Sequence, residues 1–187
     1  MRWTLLTLAM LLPLSAWGQS DADCTAIEDE TKRVFCYNRF GDWGVVARTS
    51  NFDDSVSISM SVRSNETAVL RSGQQRSVTI SAGCVGSISA LSLFGADMYF
   101  ASGYDGYGVV DYRVDSRAAG VWSMAHNRDN SGLQLWDAQA VTAIKELFGG
   151  DVLRVRFTPF NEAPVEVTFN IAGLEEQIVP LREACNW

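Results

Sequence analysis

A mainly β fold, an antiparallel sandwich or open barrel with three short helices and disulfide staples, is predicted by three observations. Apolar and polar residues alternate strictly in several short runs between Trp43 and Asp137. Turn-forming clusters such as Asp53-Asp54, Ser72-Gly73 and Asn130-Ser131-Gly132 separate those runs. Four cysteines lie far apart behind an apolar N-terminus, the usage of a small exported domain.

The front of the chain, MRWTLLTLAMLLPLSAWG, has one early cation, Arg2, and then an uncharged apolar run. The run from Leu5 to Leu14 is roughly half of what spans a bilayer. Ala16 and Gly18 have the spacing a signal peptidase accepts, which predicts cleavage before Gln19. Ser20-Asp21-Ala22-Asp23 ahead of Cys24 argues against lipidation. The predicted organisation is a leader at 1–18, a disulfide-clamped helical segment at 19–42 and a β-rich domain at 43–187. Removing the leader leaves roughly 170 residues, the size of one domain.

CTAIEDETKRVFCYNRF, from Cys24 to Phe40, predicts a short amphipathic helix with Ile27, Val34 and Phe35 toward the sheet. In SVSISMSV, Val56, Ile58, Met60 and Val62 share one face against serines. SVTISAGC repeats this with Val78, Ile80, Ala82 and Cys84. Trp43–Arg48, Ile88–Phe94, Met98–Ala101, Val109–Val114 and Gly120–Ala125 are further predicted strands. After Trp136 the period changes. Asp137 can cap a helix carrying Val141, Ile144, Leu147 and Phe148, ended by Gly149-Gly150. Strands from Val152 and Val165 follow, then a helix from about Leu174 to Ala184 interrupted in pattern by Pro180.

The cysteine spacings of 12, 48 and 101 lack the close pairs of a zinc site and the C-x-x-C of a redox motif. On one straight helix Cys24 and Cys36 would lie about 18 Å apart, against a limit of about 7 Å between bonded Cα atoms. A bond between them therefore requires the helix to start near Glu28 to Thr31, with the preceding residues folded back. Cys84 is inward on a strand and Cys185 follows the last helix. Three pairings are possible, and Cys24–Cys36 with Cys84–Cys185 is preferred because it joins local to local and terminus to core.

The chain is acidic, with a formal charge of −7, and the leader takes only Arg2 with it. Scattered basic residues predict no nucleic-acid partner, and no later segment predicts a transmembrane anchor. Chemistry is sparsely marked. His126 is the single histidine, in WSMAHNRDN, and there is no G-x-S-x-G. Asp53-Asp54 and Glu175-Glu176 read as solvated pairs, and nothing fixes the separation of Asp105 and Asp111. The expectation is a protein without enzymatic activity, catalytic residues, metal or cofactor. The stretch YFASGYDGYGVVDY is more informative: Tyr99, Tyr104, Tyr107 and Tyr112 lie among glycines, a composition suited to recognition. Tyr104, Tyr107 and Tyr112 are candidate interaction residues. Arg113, Arg154 and Arg156 are candidates for a carboxylate or anion contact on one strand face.

The Cys24–Asn38 stretch fits C-x-x-I-x-D-x-x-x-R-x-x-C-Y-[DN], seen behind the leaders of several bacterial envelope proteins. DYRVD, VWSMAHN, RFTPF, FNIAGL and PLREACNW follow in the C-terminal half. Together they make the chain similar to the type VI secretion-associated family called VasI or TagO, across the mature chain and most strongly from Tyr99 to Trp187. It departs from the family at SAGCVGSISALSLF, which lacks an arginine before the third cysteine and Asn and Thr soon after it. The four cysteines match the family's. The resemblance implies a periplasmic, exported, non-enzymatic accessory protein that binds envelope or secretion-apparatus proteins, including cell-wall-associated ones. The alternative expectation is an inhibitor of a cell-wall hydrolase that inserts the Gly103–Gly108 loop into an enzyme cleft.

Overall fold

The strand pattern is realised in the computed structural model, which describes residues 24–103 and 106–187. The predicted leader at 1–18 lies outside the described residues, as do Tyr104 and Asp105. In chain order the strands begin with β1 (Gly44–Thr49), β2 (Val56–Val69), β3 (Gln75–Val85), β4 (Ile88–Gly95) and β5 (Val109–Val114). They continue with β6 (Gly120–Ser123), β7 (Ala125–His126), β8 (Gly132–Trp136), β9 (Val152–Phe157) and β10 (Val165–Asn170). The helices are α1 (Glu30–Tyr37), α2 (Asp137–Glu146), α3 (Leu174–Gln177) and α4 (Val179–Cys185).

Two antiparallel sheets result: six strands in the order β1-β2-β3-β4-β8-β7 and four in the order β10-β9-β5-β6. The period-two faces meet in one core, where Ile58, Met60, Val78, Ile80, Leu91 and Leu93 from the first sheet join Val110, Leu153, Val155, Val167 and Phe169 from the second. Gly86 and Ser87, both in the left-handed region, turn β3 into β4 in two residues, the hairpin geometry that matches strand twist.

Both preferred disulfides are present. Cys24 and Cys36 have their Cα atoms 5.7 Å apart, because α1 starts only at Glu30 and Cys24–Ala26 form a separate short turn. The Asp29 carboxylate accepts the Lys32 amide at 2.8 Å and so caps α1. Cys84–Cys185 ties β3 to α4. Ile27 is half-buried; the side chains of Val34 and Phe35 lie outside the described set.

Three expectations are corrected. Met98–Ala101 is not a strand: Met98 and Phe100 are buried and Tyr99 exposed, but the backbone crosses between sheets. Its Phe100 amide donates to Asn130 and its Tyr99 carbonyl accepts from Phe160. Alternation therefore arose there without a ladder. Asp137 does not cap α2; it lies inside the first turn at φ 49°, and Trp136 precedes the helix without a side-chain cap. The last helix breaks at Ile178 into α3 and α4, with Pro180 in the first turn of α4, where its missing amide is harmless.

The N-terminal segment is held by a buried amide. The Gln177 side chain, fully buried, donates toward the carbonyls of Tyr37, Gly41 and Trp43 within 3.2 Å and accepts the Trp43 amide at 3.2 Å. Gly41 is required there, since a Cβ would lie 2.3 Å from the Ala172 carbonyl.

The sheet edges are finished differently. Asn38 brackets the outer edge of β1, accepting the Val45 amide at 2.7 Å and donating to the Val45 carbonyl at 3.5 Å. β1 covers β2 only to Ser61, and beyond it β2 bulges between Arg63 and Thr67. There Glu66 accepts the Thr168 amide at 2.8 Å and Asn65 donates to the Thr168 hydroxyl at 2.9 Å. The outer edge of β10 is thus occupied by side chains that mimic a strand. β6, the opposite edge of the same sheet, faces α2 across a groove.

Candidate functional site

The candidate interaction residues separate into three places. Tyr107 belongs to an aromatic rim. Its ring lies 5.6 Å from that of Phe160, tilted by 47°, and its hydroxyl oxygen accepts the Asn161 amide at 3.3 Å. Tyr99 is joined to Phe160 through a backbone hydrogen bond of 2.8 Å. Tyr99 is 68 % and Phe160 54 % exposed, so two large rings face solvent beside a third that is positioned by the chain. Tyr104 lies outside the described residues. Phe160 was not selected from the sequence, although it stands in the RFTPF stretch: an aromatic one residue past a strand-ending Pro was the available signal.

Tyr112 is not part of this rim. It lies on β5 and stacks on Trp122 of β6, with centroids 4.2 Å apart and planes at 13°. Its hydroxyl donates to Glu146 Oε2 of α2 at 2.7 Å, and Trp122 Nε1 donates to the same oxygen at 3.3 Å. Burial, followed by the bond to Glu146, pushes the Tyr112 phenol up to about 12. Gly120 leaves the space for this ring, because a Cβ there would lie 2.4 Å from Tyr112 Cζ. Beside the stack is a groove of about 380 Å³ between β6 and α2, lined by Val121, Trp122, Leu135, Ala138, Thr142 and Glu146 among others.

The arginines occupy the outer face of the smaller sheet. The register sets Asp111 opposite Arg156 and Arg113 opposite Arg154, and Glu166 opposite Arg156 on the other side. Arg156 bonds Asp111 at 2.7 Å and Arg154 reaches Glu166 at 3.2 Å. The Asp111 carboxylate beside it raises Arg156 further above its ordinary value. Arg113 donates to the Ser116 carbonyl at 3.3 Å. Asp111 and Glu166 of the same sheet thus pair with Arg156 and Arg154.

His126 is the last residue of β7. Its Nδ1 is 2.8 Å from Ser102 Oγ, and the same oxygen accepts the His126 amide at 3.2 Å. This closes the base of the 103–108 loop. Among the described residues no carboxylate bonds the other ring nitrogen, so the third member of a hydrolytic relay is not assembled there. Asp53 accepts from the Ser55 amide and hydroxyl, and its carboxyl is held below its usual value by the Ser50 and Ser55 side chains. Phe52, on the tip of that turn, is 98 % exposed. Among the described residues no group of three or more His, Cys, Asp or Glu is placed to hold a metal, and no helix is long and apolar enough to cross a membrane.

No curated protein and no solved structure shows a significant match to the chain. The family described as type VI secretion system VasI, EvfG matches it over residues 23–187. That span contains both cysteine pairs, both sheets, the aromatic rim and the β6–α2 groove. The chain belongs to the VasI family of type VI secretion system-associated proteins.

Proposed function

We propose that the protein is a periplasmic accessory component of a type VI secretion system, exported by its 1–18 leader. It acts by binding another envelope or secretion-apparatus protein, without enzymatic activity, during assembly or placement of the apparatus. The disulfides support an oxidising compartment. The observation that carries the binding role is the rim of Tyr99, Tyr107 and Phe160. Exposed rings on a supported edge offer large contact area with little side-chain entropy to lose, which is the composition of interface hot spots.

A photo-crosslinking residue at position 99 or 160 in the intact envelope tests this reading. Capture of a defined secretion-apparatus component, lost in Phe160→Ala, is the expected result. A crosslink pattern unchanged by deletion of the secretion genes would overturn it. Lysozyme inhibition by micromolar protein, abolished by changes at Tyr107, would replace it with the hydrolase-inhibitor reading.

A further inference from the structure

Among the described residues, no side chain brackets the outer edge of β6 as side chains bracket β1 and β10. The Met124 amide donates to the Gly108 carbonyl at 2.8 Å, and the register then sets Trp122 opposite Val110 and Gly120 opposite Tyr112. In an antiparallel pair the hydrogen-bonded positions alternate. Gly120 and Trp122 therefore face β5, while Val121 and Ser123 turn their N–H and C=O groups outward, over the groove. Val121 is 60 % exposed. β6 itself carries no charge, proline or bulge, the devices by which edges are usually blunted.

The facing wall is α2, whose groove-side Ala138, Thr142 and Ala143 are small beside the longer Gln139, with Leu135 and Trp122 as apolar lining. One end of the groove is marked by the Glu146 carboxylate, fixed by Tyr112 and Trp122. We infer that this groove receives an extended segment of a partner protein, which adds to β6 as a further strand and places a Lys or Arg side chain against Glu146. A strand so added lies about 4.8 Å from β6, pairs through the outward groups of Val121 and Ser123, and turns alternate apolar side chains toward Leu135 and Ala143. The site is separate from the aromatic rim and stands whether or not the rim binds a secretion component.

The probe is a synthetic eight-residue peptide alternating valine and lysine, titrated into the isotope-labelled protein. Two controls are its valine–glutamate counterpart and a copy N-methylated at alternate amides. The lysine peptide is expected to shift the amide signals of Val121, Ser123 and Thr142. N-methylation is expected to weaken binding ~tenfold or more, the equivalent of one lost backbone bond, and the glutamate peptide to bind more weakly. Ala138→Trp, a change at an exposed helix position that fills the groove, is expected to abolish binding with the rest of the spectrum intact. Equal affinity for the N-methylated peptide overturns the proposal. So do shifts confined to Tyr107 and Phe160, or no shift at millimolar peptide. Peptide-free protein that sediments as a dimer, and as a monomer in Ala138→Trp, assigns the edge to a second copy and overturns the foreign strand.

Discussion

At the seam where β10 meets the uncovered half of β2, Glu66 and Asn65 occupy the strand edge with hydrogen bonds to Thr168. At the opposite seam, β6 faces α2 across a groove lined by Ala138, Gln139, Thr142 and Glu146 of that helix. Both are edges of the same four-stranded sheet, and both would template an extra strand if left bare. The closed seam lies beside the N-terminal segment, where Gln177 also binds distant parts of the chain together. Side chains thus cover the strand edge at one seam, and among the described residues none covers it at the other.

Substitutions that remove bracing groups should therefore disturb stability, and one that only fills the open groove should leave it alone. The largest expected effect comes from replacing both Cys84 and Cys185 by serine. The 101-residue separation predicts a loss of about 4–5 kcal/mol in urea denaturation, and a loss below about 1 kcal/mol would break the contrast. Gln177→Ala comes next. It strands the carbonyls of Tyr37, Gly41 and Trp43 in a buried setting, and about 2–3 kcal/mol should be lost by the same measurement.

Glu66→Ala should lower stability by about 1 kcal/mol and promote association through β10, visible by light scattering. The sign of its pH dependence follows from its depressed carboxyl, whose first cause is the bond from the Thr168 amide. A depressed folded value gives stability that is present above the ordinary 4.5 and lost as pH falls through the folded value. The gap between wild type and Glu66→Ala should accordingly close in acid.

Tyr112 works in the opposite direction. Its phenol is raised to about 12 from 10.0, so its contribution is complete below pH 10.0 and is lost as pH rises through about 12. Tyr112→Phe should remove a tyrosine transition near pH 12 from an ultraviolet titration and change neutral-pH stability by about 0.5–1.5 kcal/mol. The smallest effect belongs to the open seam, where Ala138→Trp should shift stability by no more than about 0.5 kcal/mol. A larger loss would mean that the groove is part of the core and not a free surface.

Much of the first sheet was readable because Ile58, Met60 and Val62, then Val78, Ile80 and Ala82, alternate against serine and threonine, and that period has one structural meaning. Met98–Ala101 shows its limit, since a crossing segment pinned by two backbone bonds also buries every second residue. The arginines were read correctly as sharing one outer face, yet their neutralisation depended on register: only the pairing of β5, β9 and β10 brings Asp111 and Glu166 beside Arg156 and Arg154. The tyrosines parted for a similar reason. Tyr107 and Tyr112 are five positions apart, but the first joins Phe160 and the second lies over Trp122.

By itself the sequence determined the fold class, the strand faces and the preferred cysteine pairing, because these follow from local periodicity and from distances the chain can span. Tertiary structure alone decided that Gln177 is a buried clasp, that Glu66 guards β10 and that β6 is left open. Each of these depends on groups far apart in the chain, whose meeting is set by sheet register and packing and leaves no periodic mark on either partner.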